Sequence, residues 1–150
     1  MKTLRIMFVC SGNICRSPLA AVMADQKFDA KDIPKRIISS GTLNINGQPA
    51  AQNSQRIATE YNLDLSQHRS QGISKGFVQA CDYIVCMSPK HAAHVLKLSQ
   101  SANVVVRLWE YVKLDDIHDP VGKDVEEFRK CGAIINEALD AWIETISSNS

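Results

Sequence analysis

A chain of 150 residues with 17 basic and 16 acidic side chains carries a formal charge of +1, too little field to recruit nucleic acid or an anionic membrane surface. Its length supports a core that needs no staples, and five cysteines, an odd number, fit a reducing compartment better than a disulfide framework. No basic-then-apolar leader, membrane-length apolar run, repeat or low-complexity linker stands in the sequence, which predicts a single cytoplasmic domain over residues 1–150 without membrane association.

Leu4 to Val9 reads as a buried parallel strand, and Pro18 is well placed in the first turn of a helix running to about Lys27. Arg36 to Ser40 is a second strand, followed by a helix over Ala50 to Tyr61 with Ala51, Ile57, Ala58 and Tyr61 on its apolar face. Tyr83 to Met87 and Val104 to Leu108 are short, apolar and β-branched, as central strands are. A closing helix spans Val125 to Ile146, its stripe formed by Phe128, Ile135, Leu139, Trp142 and Ile146, with Gly132 a local weakness. Alternation of helices with apolar strands predicts an α/β fold, a parallel sheet covered on both faces, with ligand loops at the carboxyl ends of its strands.

The loop after the first strand, Cys10-Ser11-Gly12-Asn13-Ile14-Cys15-Arg16-Ser17, sits at such an end and opens a helix. Unpaired N–H groups at a helix N-terminus can ring an oxyanion, and Gly12 and Asn13 tolerate backbone angles closed to most residues. Residues 11–17 therefore form the candidate phosphate cradle. Under those amides and beside a guanidinium, Cys10 has its anionic form favoured and reads as a nucleophile. Arg16 offers a planar fork matched to two phosphoryl oxygens, and the Ser17 hydroxyl can donate to the Cys10 sulfur. A leaving oxygen also needs a proton; Asp119, stiffened by Pro120, is the best candidate, with Asp115, Asp116 and Asp124 as rivals.

Two plainer readings compete. A zinc site would want paired ligands two to four residues apart, whereas Cys10 and Cys15 are five apart with no fitting pair downstream, so no metal is expected. A merely buried cysteine would leave the Gly-Asn turn and the arginine without purpose. His91 and His94, three apart on a short helix, read as solvent-facing.

The string CSGNICRSP resembles the signature of the low-molecular-weight protein tyrosine phosphatases. Ile38-Ser39-Ser40-Gly41-Thr42, Phe77 to Met87, and Asp119-Pro120 are further matches, spanning nearly the whole chain. The resemblance implies a three-layer α/β/α domain with a four-stranded parallel sheet in the order 2-1-3-4. It also implies hydrolysis of phosphotyrosine or aryl phosphates through a phosphocysteine, without cofactor. It places the general acid on Asp119. Ser40 matches a serine that bonds the loop asparagine, here Asn13, and His68 a histidine bracing the same loop. The polar turn Asn44 to Gly47 falls where relatives build a pocket wall. Cys15 becomes a redox partner able to trap an oxidised Cys10 as a disulfide.

Departures bear on substrate choice. Val121 and Gly122 follow Pro120 where relatives carry aromatic residues, leaving Leu43, Ile45 and Val121 to hold a ring. Ser88 stands where aspartate is usual and Gln71 where a base is common, neither touching the inferred chemistry. The alternative activity is a thiol-dependent arsenate reductase relaying oxidation through Cys81 and Cys86. A dead phosphate-binding module is opposed by the intact Cys10, Arg16 and Asp119.

Overall fold

Parallel strands pair in the order β2-β1-β3-β4, the order the resemblance implied. The computed structural model describes residues 2–99 and 104–148. In chain order the elements are β1 (Leu4–Cys10), α1 (Arg16–Ala30), β2 (Lys35–Gly41), α2 (Gln52–Glu60), α3 (Lys75–Ala80), β3 (Tyr83–Cys86), α4 (Pro89–Leu98), β4 (Val105–Arg107), a 3-10 turn (Leu108–Val112) and α5 (Val125–Ser147). Helices α1, α2 and α5 pack together on one face, while α3 and α4 cover the other.

Strand alternation divides β1 between these layers. Phe8 meets the indole of Trp142 on α5 edge-on at 6.4 Å, and Phe28 and Tyr83 meet the same indole at 6.0 and 5.6 Å. Cys10 has the same parity as Phe8, so its side chain leaves the sheet towards α1, at the strand's carboxyl end. The expected stripe of α5 faces this core, with Phe128, Ile135, Leu139 and Trp142 buried. Gly132 has a packing role there: a Cβ would come within 2.8 Å of Ile57 on α2, so glycine permits the helices to approach.

Sequence and structure differ at several boundaries. Helix α1 starts at Arg16, where the amides of the cysteine loop pass directly into a first turn that holds Pro18, and it runs on to Ala30 rather than ending near Lys27. The helix α3 and the 3-10 turn at Leu108–Val112 had no sequence expectation, being too short for helical periodicity to show. Asp124 accepts from the Glu127 N–H at 3.2 Å as the N-cap of α5, which removes it as a rival acid.

Candidate active site

The loop from Ser11 to Cys15 turns its carbonyls outward, where each finds a donor except that of Gly12. Cys10 O and Ser11 O accept from the N–H groups of Thr42 and Leu43, both at 3.0 Å, and Ile14 O from that of Ala51 at 2.9 Å. Asn13 O bonds His68 Nε2 at 2.7 Å, and Cys15 O accepts from the Ser54 hydroxyl at 3.1 Å. The N–H groups of residues 11–15 have no acceptor among the described residues. They are the donors that an oxyanion would take.

Asn13 makes this inversion possible. Its φ of 59° lies in the left-handed region, as expected of it. Gly12, by contrast, has no positive φ, and a Cβ there would meet only Ile45 and Ile14 at ordinary contact distances. The glycine the loop requires is Gly41 at the end of β2, where a Cβ would stand 2.6 Å from Ser11 O and 2.8 Å from Asn13 N. The expectation for Gly12 is therefore corrected, and Gly41 carries the close approach.

The Asn13 amide is held on three sides. Its Nδ2 donates to Ser17 Oγ at 2.8 Å and Ser39 Oγ at 2.9 Å, and its Oδ1 accepts from the Gln71 N–H at 3.0 Å. Ser40 does not take part; its hydroxyl donates to Met7 Sδ at 3.2 Å. The register explains the correction: Ser39 pairs with Phe8 and shares its face, whereas Ser40 pairs with Val9 and points to the opposite layer. Gln71, whose Nε2 also donates to Ser39 O at 2.9 Å, belongs to the same brace, contrary to expectation. His68 meets the loop at the Asn13 carbonyl, and burial lowers its affinity for a proton despite that contact.

Cys10 Sγ lies 3.0 Å from Ser17 Oγ. Since that oxygen already accepts from Asn13 Nδ2, its own proton is available to the sulfur. Cys15, also buried, is a different thiol: burial, then the charges of Asp119 and Cys10, push it up to about 12 against the opposing effect of Arg16.

Arg16 is 2% exposed and is fixed by the loop before α5. Its Nη1 donates to Ile117 O at 2.8 Å, and its Nη2 lies 3.4 Å from both Asp119 Oδ2 and Ser11 Oγ. Ile117 N–H in turn donates to Met87 O at 3.0 Å, tying that loop to the end of β3. Arg16 Nε is buried without a partner among the described residues, a charge-bearing donor that a phosphoryl oxygen would satisfy. Asp119 Oδ1 accepts from the Val121 N–H at 3.1 Å, which turns the half-buried carboxylate over the cysteine loop.

These groups enclose a cleft of about 150 Å3 lined by Cys10, Arg16, Asp119, Leu43, Ile45 and Val121, among others. No aromatic side chain lines it, as the residues after Pro120 had suggested. Of the turn at Asn44 to Gly47, Ile45 lines the cleft and Asn46 instead accepts from the Gly72 N–H at 3.0 Å. No group of three His, Cys, Asp or Glu among the described residues could hold a metal.

His91 overturns its solvent-facing expectation. It is fully buried, with Nε2 3.0 Å from Ser11 Oγ and Nδ1 3.1 Å from Ser88 Oγ. Sequence spacing missed this contact because it depends on β3 lying beside β1: Val9 pairs with Cys86, so Ser88 and His91 emerge level with Ser11. Ser88 thus touches the site's surroundings as well.

A family profile described as low molecular weight phosphotyrosine protein phosphatase matches residues 5–150. The chain belongs to this family. A probable low molecular weight protein-tyrosine-phosphatase, EpsP of Ralstonia solanacearum, is 31% identical over 142 residues, 94% of each chain. Among solved structures, the low molecular weight protein tyrosine phosphatase of T. tengcongensis superposes with a TM-score of 0.87 at 26% identity, covering 95% of this chain and 99% of that one. An arginine phosphatase, YwlE of Geobacillus stearothermophilus, superposes with a TM-score of 0.85 at 26% identity over 97% of this chain and 94% of its own. The chain is a protein-tyrosine-phosphatase, hydrolysing phosphotyrosine and aryl phosphate monoesters through a phosphocysteine intermediate.

Proposed function

We propose that Cys10, Arg16 and Asp119 divide this reaction between them. Cys10 Sγ attacks phosphorus while the ester P–O bond breaks, and the departing oxygen takes its proton from Asp119. Water then attacks the phosphocysteine and gives a proton to the Asp119 carboxylate as the P–S bond breaks, returning Cys10 and inorganic phosphate. Ser17 stabilises the sulfur before attack and as it leaves. Arg16 Nε and Nη2 and the inward N–H groups of residues 11–15 hold the equatorial oxygens, where charge must be balanced in the transition state. Asn13, Ser39, Gln71 and His68 keep the loop in the shape that aims those donors.

The observation that carries this assignment is the unpartnered Arg16 Nε, buried in one cleft with the Cys10–Ser17 pair and roofed by Asp119. Rapid quench with phosphorus-labelled aryl phosphate is expected to trap the label on Cys10. Cys10→Ser, having no adjacent base to ionise the hydroxyl, is expected to retain phosphate binding and lose turnover. Label recovered on another residue would overturn the scheme.

The substrates are phosphotyrosine proteins or small aryl phosphates, met in the cytoplasm by a single domain over residues 1–150. Leu43, Ile45 and Val121 offer apolar contact to a ring without aromatic stacking. Among the cleft's lining residues the sole carboxylate is Asp119, already beside Arg16, so a phosphoarginine guanidinium would find no second acid to pair with. Phosphotyrosine peptide is therefore expected to be turned over faster than phosphoarginine peptide. A reductase relay fits poorly. Cys81 precedes β3 at the end of the sheet away from Cys10, and Cys86 is fully buried, its thiol pushed up to about 12 by burial.

A further inference from the structure

A buried imidazole is tolerated inside a protein when both its nitrogens are hydrogen-bonded, and His91 meets that demand with one partner in the active-site loop. It occupies the first turn of α4, reaching from Ser88 across to Ser11, which follows the nucleophile. Arg16 bears on the direction of its hydrogen bonds. A guanidinium only donates, so the 3.4 Å contact makes Ser11 Oγ the acceptor from Nη2 and leaves the Ser11 proton to be given elsewhere. His91 Nε2, at 3.0 Å, is placed to accept it in the tautomer whose Nδ1–H donates to Ser88 Oγ at 3.1 Å. In that tautomer the chain runs one way, from Arg16 through Ser11 and His91 to Ser88.

We propose that His91 is a positioning residue for phosphoryl transfer: by accepting the Ser11 proton it turns the Ser11 lone pairs towards Arg16 and fixes the guanidinium for the incoming phosphoryl group. The inference rests on Arg16 acting as the phosphate clamp. An imidazolium could not serve, because both nitrogens would then donate and a second positive charge would face Arg16. Burial, reinforced by Arg16 on α1 and by Lys90 and His94 on α4, pushes His91 down to about 3, so the ring is neutral across the working range. Without the acceptor, the Ser11 hydroxyl rotates and Nη2 is left to Asp119 alone, which pulls the fork away from the sulfur's line of attack.

His91→Phe keeps ring volume and removes both nitrogens, while His91→Gln returns an acceptor near the Nε2 position. Steady-state hydrolysis of an aryl phosphate by the full chain is expected to show kcat reduced about tenfold in His91→Phe, the effect of one misdirected hydrogen bond to a charged group, with KM little changed. His91→Gln is expected to recover most of it. In a Ser11→Ala background, His91→Phe is expected to add no further loss, because its action passes through Ser11. Unchanged kcat in His91→Phe, or losses that simply add, would overturn the proposal. Long-range 1H–15N spectra of the unmutated protein decide the matter even where a variant fails to fold. One neutral tautomer protonated at Nδ1 is expected from about pH 6 to 8; an Nε2–H tautomer or an imidazolium there refutes it. Phosphocysteine trapping on the unmutated protein separates the two layers. If trapping fails, the clamp reading falls with it; if it succeeds while His91→Phe is unaffected, only the role of His91 is lost.

Discussion

Replacing Asn13 by alanine should cost more than any single contact of the cysteine loop suggests. The substitution removes three hydrogen bonds, to Ser17, Ser39 and the Gln71 N–H, each worth about 1 kcal/mol net. It also puts a residue with no local polar compensation at φ 59°, adding roughly 1 kcal/mol of backbone strain. The sum is about 4 kcal/mol, which at about 2–4 °C per kcal/mol for a chain of this size lowers Tm by roughly 10 °C. Glycine at the same position loses the bonds and not the backbone preference, so Asn13→Gly should be the more stable variant by about 1 kcal/mol. Turnover should fall in both, since Ser17 is no longer oriented towards Cys10. Urea unfolding of the three proteins, beside aryl phosphate kinetics, measures every term. Asn13→Ala within about 1 kcal/mol of the parent, or a glycine variant no better than alanine, would refute this account of the loop.

Arg16→Lys should lower kcat/KM by about 10²–10⁴-fold, two charge-assisted bonds at about 1.5–3 kcal/mol each, measured on aryl phosphate; near-parent turnover would show that charge alone suffices. Asp119→Asn should slow hydrolysis by about 10²–10⁴-fold for alkyl and unactivated aryl esters and much less for activated ones, and equal losses across a leaving-group series would point to another acid. Mild peroxide should inactivate the enzyme reversibly through a Cys10–Cys15 disulfide, read by peptide mass mapping before and after dithiothreitol; a bridge from Cys10 to Cys86 would reject that pairing. Stability should fall as pH drops below about 6.5. The unfolded chain binds a proton there that buried His91 refuses, giving a slope of up to about 1.4 kcal/mol per pH unit, part-buried His68 acts in the same direction, and urea unfolding should show a shallower slope in His91→Gln.

The elements legible from the sequence were those whose signal is local and long. Helix α5 carries several turns of apolar spacing, and β1 is apolar at every position but Arg5, so both appear close to their predicted bounds. Helix α3, six residues long, offers one buried position, Val78, which no period can distinguish from a loop. The termination of α2 at Glu60 rather than Tyr61 is set by Asn62, whose left-handed φ of 62° ends the helix in a way apolar spacing does not register.

The active site divides along the same line, for a physical reason. Cys10, Asn13, Arg16 and Ser17 lie within eight consecutive residues, and the helix N-terminus that organises them is itself a local structure, so residue type and spacing suffice to recognise their chemistry. What holds them is not local. Ser39 rather than Ser40 meets Asn13 because of which β1 residue each opposes, and His91 meets Ser11 because β3 is the neighbour of β1. A shift of one residue in either pairing would send these side chains to the opposite layer. Ile117 contributes only backbone groups, accepting from Arg16 and donating to Met87, so its side-chain identity carries no trace of its part in placing Asp119. A nucleophile can therefore be read from a motif, whereas the groups that aim it are properties of strand register and become visible only once the sheet is assembled.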